Sequence, residues 1–395
     1  MAQSSNELAH EFKSVRKSLG VGKKEFFIVA LLIAAYVYYR FLVPLPDDTT
    51  TILIIVLGLV VGTWFAFRPS EWAVEGIESV AGHRGYTAYV AGLLSSLASN
   101  MPEAVISGIA AWNGYNHPDS ALGAQLLDIA VLSVLIAAGF NMLLLGFTIV
   151  IATRGNVELD VPQEVIRKDS VLIRWTIVAL TSMFALGIVN LVTALEGNGP
   201  VFPREASLML FLSYIVYAFS LKGGHVGETK GETSTITPHF SMKNAAVLTV
   251  IGFTGIFFAG EMLTFSIETL LHTQEAIISS FGDPVYIAAL ILGAAGALPE
   301  HGIALIAAAK GKVGIAVGNL VGGVLQIVLL VAGGIGIFVP IPLDRYVLFQ
   351  IVVIAGSLWF LKRNLTDDNK LDLFEGMMII LLQAYVFVLL IIGPG

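Results

Sequence analysis

From Phe26 to Ile392 the chain is a succession of apolar runs, many of them close to the roughly 20 residues that cross a bilayer as an α-helix. A chain of this kind has few folds open to it, because every backbone N–H and C=O at membrane depth must be satisfied internally. The runs fall at about 26–44, 51–67, 86–112, 121–151, 171–194, 206–221, 245–271, 285–309, 314–339, 345–362 and 372–392. They predict an all-α, polytopic membrane protein with about 11 transmembrane helices. An amphipathic stretch, EWAVEGIESVAGHR, follows the second run after Arg68, and Gly139 and Gly146 are candidate bends in the long fourth run. Only 13% of the 395 residues are charged, about half the share expected of a soluble domain.

Two of the runs carry a carboxylate behind a proline. SSLASNMPEAVISGIAAW, Ser95 to Trp112, holds Pro102-Glu103, and GAAGALPEHGIALIAAAK, Gly293 to Lys310, holds Pro299-Glu300. An ionisable residue inside a span is costly and marks function. Interrupted spans at matching places in two halves point to the central site of a transporter. The halves also match outside the motifs. Glu71 and Glu78 stand seven residues apart before the first, as Glu261 and Glu268 do before the second. SALGAQLLDIAV lies over IAVGNLVGGVLQ, with Gly123 on Gly318, if the first connecting loop holds two extra residues. One leading helix plus two inverted five-helix repeats is the expected architecture.

Orientation follows from the basic residues. The N-terminal Lys13, Arg16, Lys17, Lys23 and Lys24, the regions of Arg68 and Arg84, the Arg154–Lys168 loop, the Lys222–Lys243 linker, Lys310 with Lys312, and Lys362–Lys370 fall on one side if the spans alternate. That side is cytoplasmic by the positive-inside rule. The expected organisation is a cytoplasmic basic segment at 1–25, a leading helix at 26–44, a first half at 45–221, a cytoplasmic linker at 222–243 and a second, inverted half at 244–395. The chain would sit in the cell membrane, with the C-terminus on the side opposite the N-terminus. Leu8, Phe12, Val15 and Leu19 repeat at helical spacing, so the basic segment is either a helix on the membrane surface or a frayed tail. His225, Glu228, Glu232 and His239 read as parts of a solvated linker rather than a metal site.

The chemistry of the paired motifs is that of a hard cation. Proline removes an intrahelical hydrogen bond and crowds the carbonyl four residues earlier, so the backbone before Pro102 and Pro299 is expected to unwind or kink. Carbonyls of Leu97–Ser99 and Ala294–Gly296 then join Glu103 and Glu300 as oxygen ligands, and two carboxylates with carbonyls suit Ca2+. Asp128, in the next span, is a candidate site or proton-relay group. Asn100 and Ser99 are either ligands or partners of the broken backbone. Gln326 either faces the ion or joins helices. Gly296 offers a carbonyl, and His301, about 100° around a helix from Glu300, suits a vestibule.

Other classes fare worse. Scattered basic residues give no nucleic-acid surface, and the absence of cysteine excludes disulfides and thiolate metal sites. Pro-Glu-His is not the H-E-x-x-H of a metalloprotease, so no enzyme and no resident cofactor are expected. Oligomeric state is not legible.

These residues carry a resemblance. The paired Pro-Glu motifs, followed by AVGNLVGGVLQIVLLVAGG from Ala316 to Gly334, resemble the alpha repeats of the cation/calcium exchanger superfamily over essentially everything after Thr50. ALPEHGIALIAAAKGK, with its Glu-His pair, is similar to the second repeat of the proton/calcium exchangers, a branch that also has a leading extra span. The resemblance implies that Glu103 and Glu300 bind Ca2+. Two features depart from the family pattern. Its Gly-Thr-Ser before Pro-Glu is Ala98-Ser99-Asn100 in one half and Ala295-Gly296-Ala297 in the other. The later serine is Asp128 or Ala124 in the first half and Gly323 in the second. The family's sodium sites draw on those hydroxyls, so the expected counter-ion is H+. A Na+/Ca2+ exchanger of the same fold is the alternative, and a cation channel a more distant one. In the leading reading proton and Ca2+ compete for the same oxygens, because two carboxylates without a cation are relieved by taking up a proton.

Overall fold

The computed structural model describes residues 21–43, 47–86, 88–118, 120–153, 158–160, 163–192, 201–222, 238, 240–274, 278–309, 313–343, 345–367 and 370–392. Side chains of a few helical stretches, 299–309 among them, lie outside the description. So do the spacing from Leu8 to Leu19 and the linker's His225, Glu228, Glu232 and His239.

Among the described residues thirteen helices follow one another: α1 Lys23–Val37, continued by a π-helical turn Tyr38–Leu42; α2 Asp48–His83; α3 Ala88–Ser99; α4 Met101–Asn116; α5 Ala121–Ala152; α6 Gln163–Val192; α7 Arg204–Lys222; α8 Met242–Thr273; α9 Pro284–Ala309; α10 Val313–Gln326, joined through a π-helical turn Ile327–Ala332 to α11 Gly333–Phe338; α12 Arg345–Asp367; and α13 Leu373–Ile392. Counted with α3 beside α4 and α10 beside α11, the described residues make eleven helical segments, one leading and two sets of five. Among the described residues eight stretches are long and apolar enough to cross a membrane by length and composition. The other three segments are α3 with α4, α7, and α9, whose apolar part is Pro284–Leu298. Helix starts are coded locally. The Asp47 carboxylate accepts from the Thr50 amide at 2.8 Å to cap α2, and the Ser120 hydroxyl accepts from the Gly123 amide at 3.0 Å to cap α5.

The chain divides into two compact units. The first, residues 1–102 and 231–273, is built on the long pair α2 and α8. Small residues let the two backbones approach: a Cβ at Gly62 would fall 2.8 Å from Leu263 Cγ, one at Gly76 2.7 Å from the Thr249 amide nitrogen, and one at Gly252 2.6 Å from that of Ala73. As residue number rises along α2 it falls along α8, so the first helices of the two halves lie antiparallel. The sequence divides α2 at Arg68, yet the helix runs through Pro69 without a break. The charge that looked like an end is neutralised within the unit: Arg68 pairs with Glu25 of α1 at 2.9 Å and with Glu71 at 2.7 Å.

The second unit holds residues 103–230 and 274–395, with α5 at its centre. Gly139 and Gly146 are contact points here. A Cβ at Gly139 would fall 2.7 Å from Gln350 Nε2, and one at Gly146 2.8 Å from the Gly376 carbonyl of α13. The matching seam joins Gly333 of α11 to Phe211 of α7, where a Cβ would fall 2.8 Å from the Phe211 nitrogen. Two short antiparallel ribbons show the same symmetry. β1 (Glu158–Asp160) pairs with β4 (Lys370–Asp372), and β2 (Val201–Phe202) pairs with β3 (Ile341–Pro342). β1 and β2 flank α6, and β3 and β4 flank α12, so each pair joins a connection of one half to the non-equivalent connection of the other. Between β1 and β4 the chain runs through α6, α7, α8, α9, α10 with α11, and α12, an even number of segments. Paired strands therefore share a membrane side, as inverted repeats require.

Candidate functional site

The two Pro-Glu motifs solve the proline problem differently. In the first, one non-helical residue, Asn100, separates α3 from α4. The Ser96 carbonyl, at the end of α3, accepts three hydrogen bonds: from the Asn100 amide at 3.2 Å, from Asn100 Nδ2 at 2.9 Å and from Ser99 Oγ at 2.9 Å. Asn100 and Ser99 thus both bond to the Ser96 carbonyl, and both are buried. Pro102 has no N–H to offer the Ala98 carbonyl, and it stands in the first turn of α4, where proline is tolerated. Glu103 shares that turn, at the positive end of the helix dipole. The expected unwinding is present in this motif, confined to a single residue.

The second motif carries no such break. Residues 284–309 form one continuous helix, α9, through Pro299, which corrects the expectation of unwound backbone there, although Pro299, having no N–H, still leaves the Ala295 carbonyl without its usual intrahelical partner. The physical reason lies in the residues before the proline. Asparagine is a strong helix-boundary former, whereas alanine, which stands at 297 in the matching place, is among the poorest. Gly293 instead brings α9 against α5: a Cβ there would fall 2.7 Å from the Ser133 carbonyl and 2.9 Å from Ile136 Cγ2.

Within the second unit the motifs come together. Glu103 is 3% exposed, and its side chain lies against Gly296, one helical turn before Glu300. A Cβ at Gly296 would fall 3.1 Å from Glu103 Cγ and 3.6 Å from its carboxyl carbon. Only a residue without a side chain lets this carboxylate approach α9 so closely. Ser107, one turn after Glu103, donates to the Glu103 carbonyl at 2.6 Å and fastens the start of α4. Gln326, 1% exposed, ends α10 at the π-helical turn, and Asp128 is half-buried in the second turn of α5. The side chains of Glu300 and His301 lie outside the described residues. Among the described residues no group of three or more His, Cys, Asp and Glu side chains is gathered as a metal site. Sequence reasoning named Gly296 for its carbonyl and missed its steric role. It also missed Ser96, Ser107 and Gly293. The signal for Ser96 and Gly293 was available, since they occupy equivalent places six residues before each proline.

Two inverted five-helix halves, with a buried carboxylate of one half set against the glycine-rich helix of the other, define a membrane transporter of the inverted-repeat class. A profile of the family described as "Sodium/calcium exchanger protein" matches residues 50–222 and 244–393. The chain belongs to that family and is a multi-pass membrane transporter, not an enzyme. Its relatives include the "Ca(2+)/H(+) antiporter ChaA" of Bacillus subtilis (strain 168), 26% identical over 326 residues, which cover 80% of this chain and 84% of the relative. The fold matches the crystal structure of the H+/Ca2+ exchanger CAX, with a TM-score of 0.64 and 19% identity, over 94% of this chain and 93% of the other. It also matches the sodium-calcium exchanger NCX_Mj, with a TM-score of 0.56 and 18% identity, over 85% and 99%.

Proposed function

We propose that the chain is a secondary antiporter that exchanges Ca2+ for H+ by alternating access, with Glu103 and Glu300 as the shared ligands of ion and proton. The observation that carries this reading is the burial of the Glu103 carboxylate against Gly296, one turn from Glu300 on the same helix. Glu103 is buried, and a second carboxylate sharing its site would favour a bound cation, with protons taking its place when it leaves. A divalent ion and protons therefore exclude one another, and this exclusion couples their fluxes. Ca2+ accepts six to eight oxygens in flexible geometry, so carboxylates supplemented by Asp128, the Gln326 amide oxygen, the Gly296 carbonyl and water are a fitting set. The relative from B. subtilis and the CAX structure, both named for Ca2+ and H+, support the same assignment. No cofactor is needed for exchange. The basic residues favour a cytoplasmic N-terminus, an opposite C-terminus and residence in the cell membrane.

The likeness to NCX_Mj favours a second reading, Na+/Ca2+ exchange, in which Asp128 supplies part of a sodium site. Vesicles carrying the purified chain separate the two. Ca2+ uptake should follow an imposed pH gradient and ignore a sodium gradient. Uptake driven by sodium alone would replace the first reading with the second, and conductance without saturation would replace both with a channel.

A further inference from the structure

Leading helix α1 meets α2 unevenly. From Leu32 to Tyr39 it is seated on a cluster of Tyr36, Ile54, Leu57, Val61 and Met262. Arg40 fixes this end, donating to the Tyr36 hydroxyl at 2.5 Å and lying 3.5 Å from the centroid of the Phe265 ring. Toward the start of α1 the helices part. They leave a groove of about 430 Å³ walled by Ile28, Val29 and Leu32 of α1 and Val60, Val61 and Trp64 of α2. Glu25 bridges the end of this gap, accepting from Arg68 Nε at 2.9 Å and from the Trp64 indole N–H at 3.1 Å.

The walls of the groove are apolar, and its polar groups stand at one end. A space of that kind holds no ordered water, which needs two to four polar partners. Left empty, it would forfeit dispersion contacts along both helices. Between two membrane helices the apolar matter available is the acyl chain of a lipid. From Glu25 to Leu32 the groove follows α1 for about 10 Å, enough to grip the upper part of a chain. Charge then selects the headgroup. Lys23 and Lys24 are exposed beside Glu25, whereas Glu25 and Glu71 are both engaged by Arg68. Among the described residues at this end of α1, the two ammonium groups are the positive charge left to meet a phosphate at the membrane surface.

We propose that this groove binds one anionic phospholipid, its acyl chain between α1 and α2 and its phosphate on Lys23 and Lys24. Native mass spectrometry of the full chain, released from bilayers of equal phosphatidylglycerol and phosphatidylethanolamine, tests it. The unaltered chain should retain phosphatidylglycerol in roughly tenfold preference. Lys23→Gln with Lys24→Gln should bring the ratio close to one while a lipid is still retained. Val60→Trp, which fills the groove from a half-exposed position, should remove both lipids. Equal retention of the two lipids by the unaltered chain, or unchanged retention in Val60→Trp, would overturn the proposal. So would a particle of doubled mass without lipid, which would mean that a second copy covers the groove. The readout is bound lipid rather than flux, so it stands or falls separately from the exchange reaction.

Discussion

The two Pro-Glu segments occupy equivalent places in a pseudo-symmetric fold, yet they are built on opposite principles. The first spends polar side chains on its own backbone: Ser99 and Asn100 turn back to the Ser96 carbonyl, and the helix stops for one residue. The second has Gly296 and Ala297 in those positions, keeps its helix and uses absent side chains to admit a neighbour. Symmetry of fold therefore does not impose symmetry of mechanism at the proline. An asparagine-bearing motif forms a local boundary, whereas a glycine-alanine motif forms a surface against which Glu103 can lie.

The sharpest way to break this comparison is to neutralise the carboxylates one at a time. Glu103→Gln and Glu300→Gln should each reduce Ca2+ uptake by vesicles to background, while the protein still elutes as a folded particle, because an amide is cheaper to bury than a carboxylate. Normal transport by either variant would remove that residue from the ligand set and leave the halves functionally unequal. The next largest effect belongs to the glycine surface. Gly296→Val places atoms where Glu103 now lies and should lower transport about tenfold or more, since small displacements of a reacting group carry large penalties. Gly108→Ala, in the first half, has nothing within 4 Å of the new methyl group and should be silent. If both changes act equally, close approach at Gly296 is not what the second motif provides.

Much of this architecture is legible in the sequence. Hydropathy locates eleven segments, because a span must be apolar over its length. The repeated Pro-Glu pair marks the two halves, because a buried acid has no cheap structural reason to exist. What escapes notice is whatever depends on a distant partner. Arg68, Pro69 and Glu71 look like the end of a helix until Glu25, more than forty residues earlier, is seen to neutralise Arg68. Gly139 and Gly146 look like hinges, since one chain cannot show that Gln350 and Gly376 press on them. A proline predicts unwinding in both motifs. The outcome depends on whether the residues before it can form a boundary, and that difference was visible as Asn100 against Ala297.

Asp128→Asn should have a smaller and different effect. The half-buried carboxylate has no acidic counterpart at the matching place in the second half, where Gly323 stands if the register is kept. If it relays protons in one half only, the variant should shift the pH dependence of uptake while Ca2+ affinity changes little. An unchanged pH profile would assign Asp128 to packing.

The smallest effect tests the local boundary itself. Asn100→Ala makes the first motif more like the second by removing one of three donors to the Ser96 carbonyl, while Ser99 Oγ and the backbone amide remain. One neutral hydrogen bond contributes about 1 kcal/mol, so a loss of that order in stability should appear as a melting shift of a few degrees. Ca2+ affinity should fall by no more than severalfold if Asn100 serves only the backbone. A much larger loss of affinity with unchanged melting would mean that the amide faces the ion. Adding Ser99→Gly removes a second donor and should deepen the destabilisation. Were the double variant as stable as the parent, polar side chains would not be what holds the break open, and the contrast between the two motifs would reduce to the proline alone.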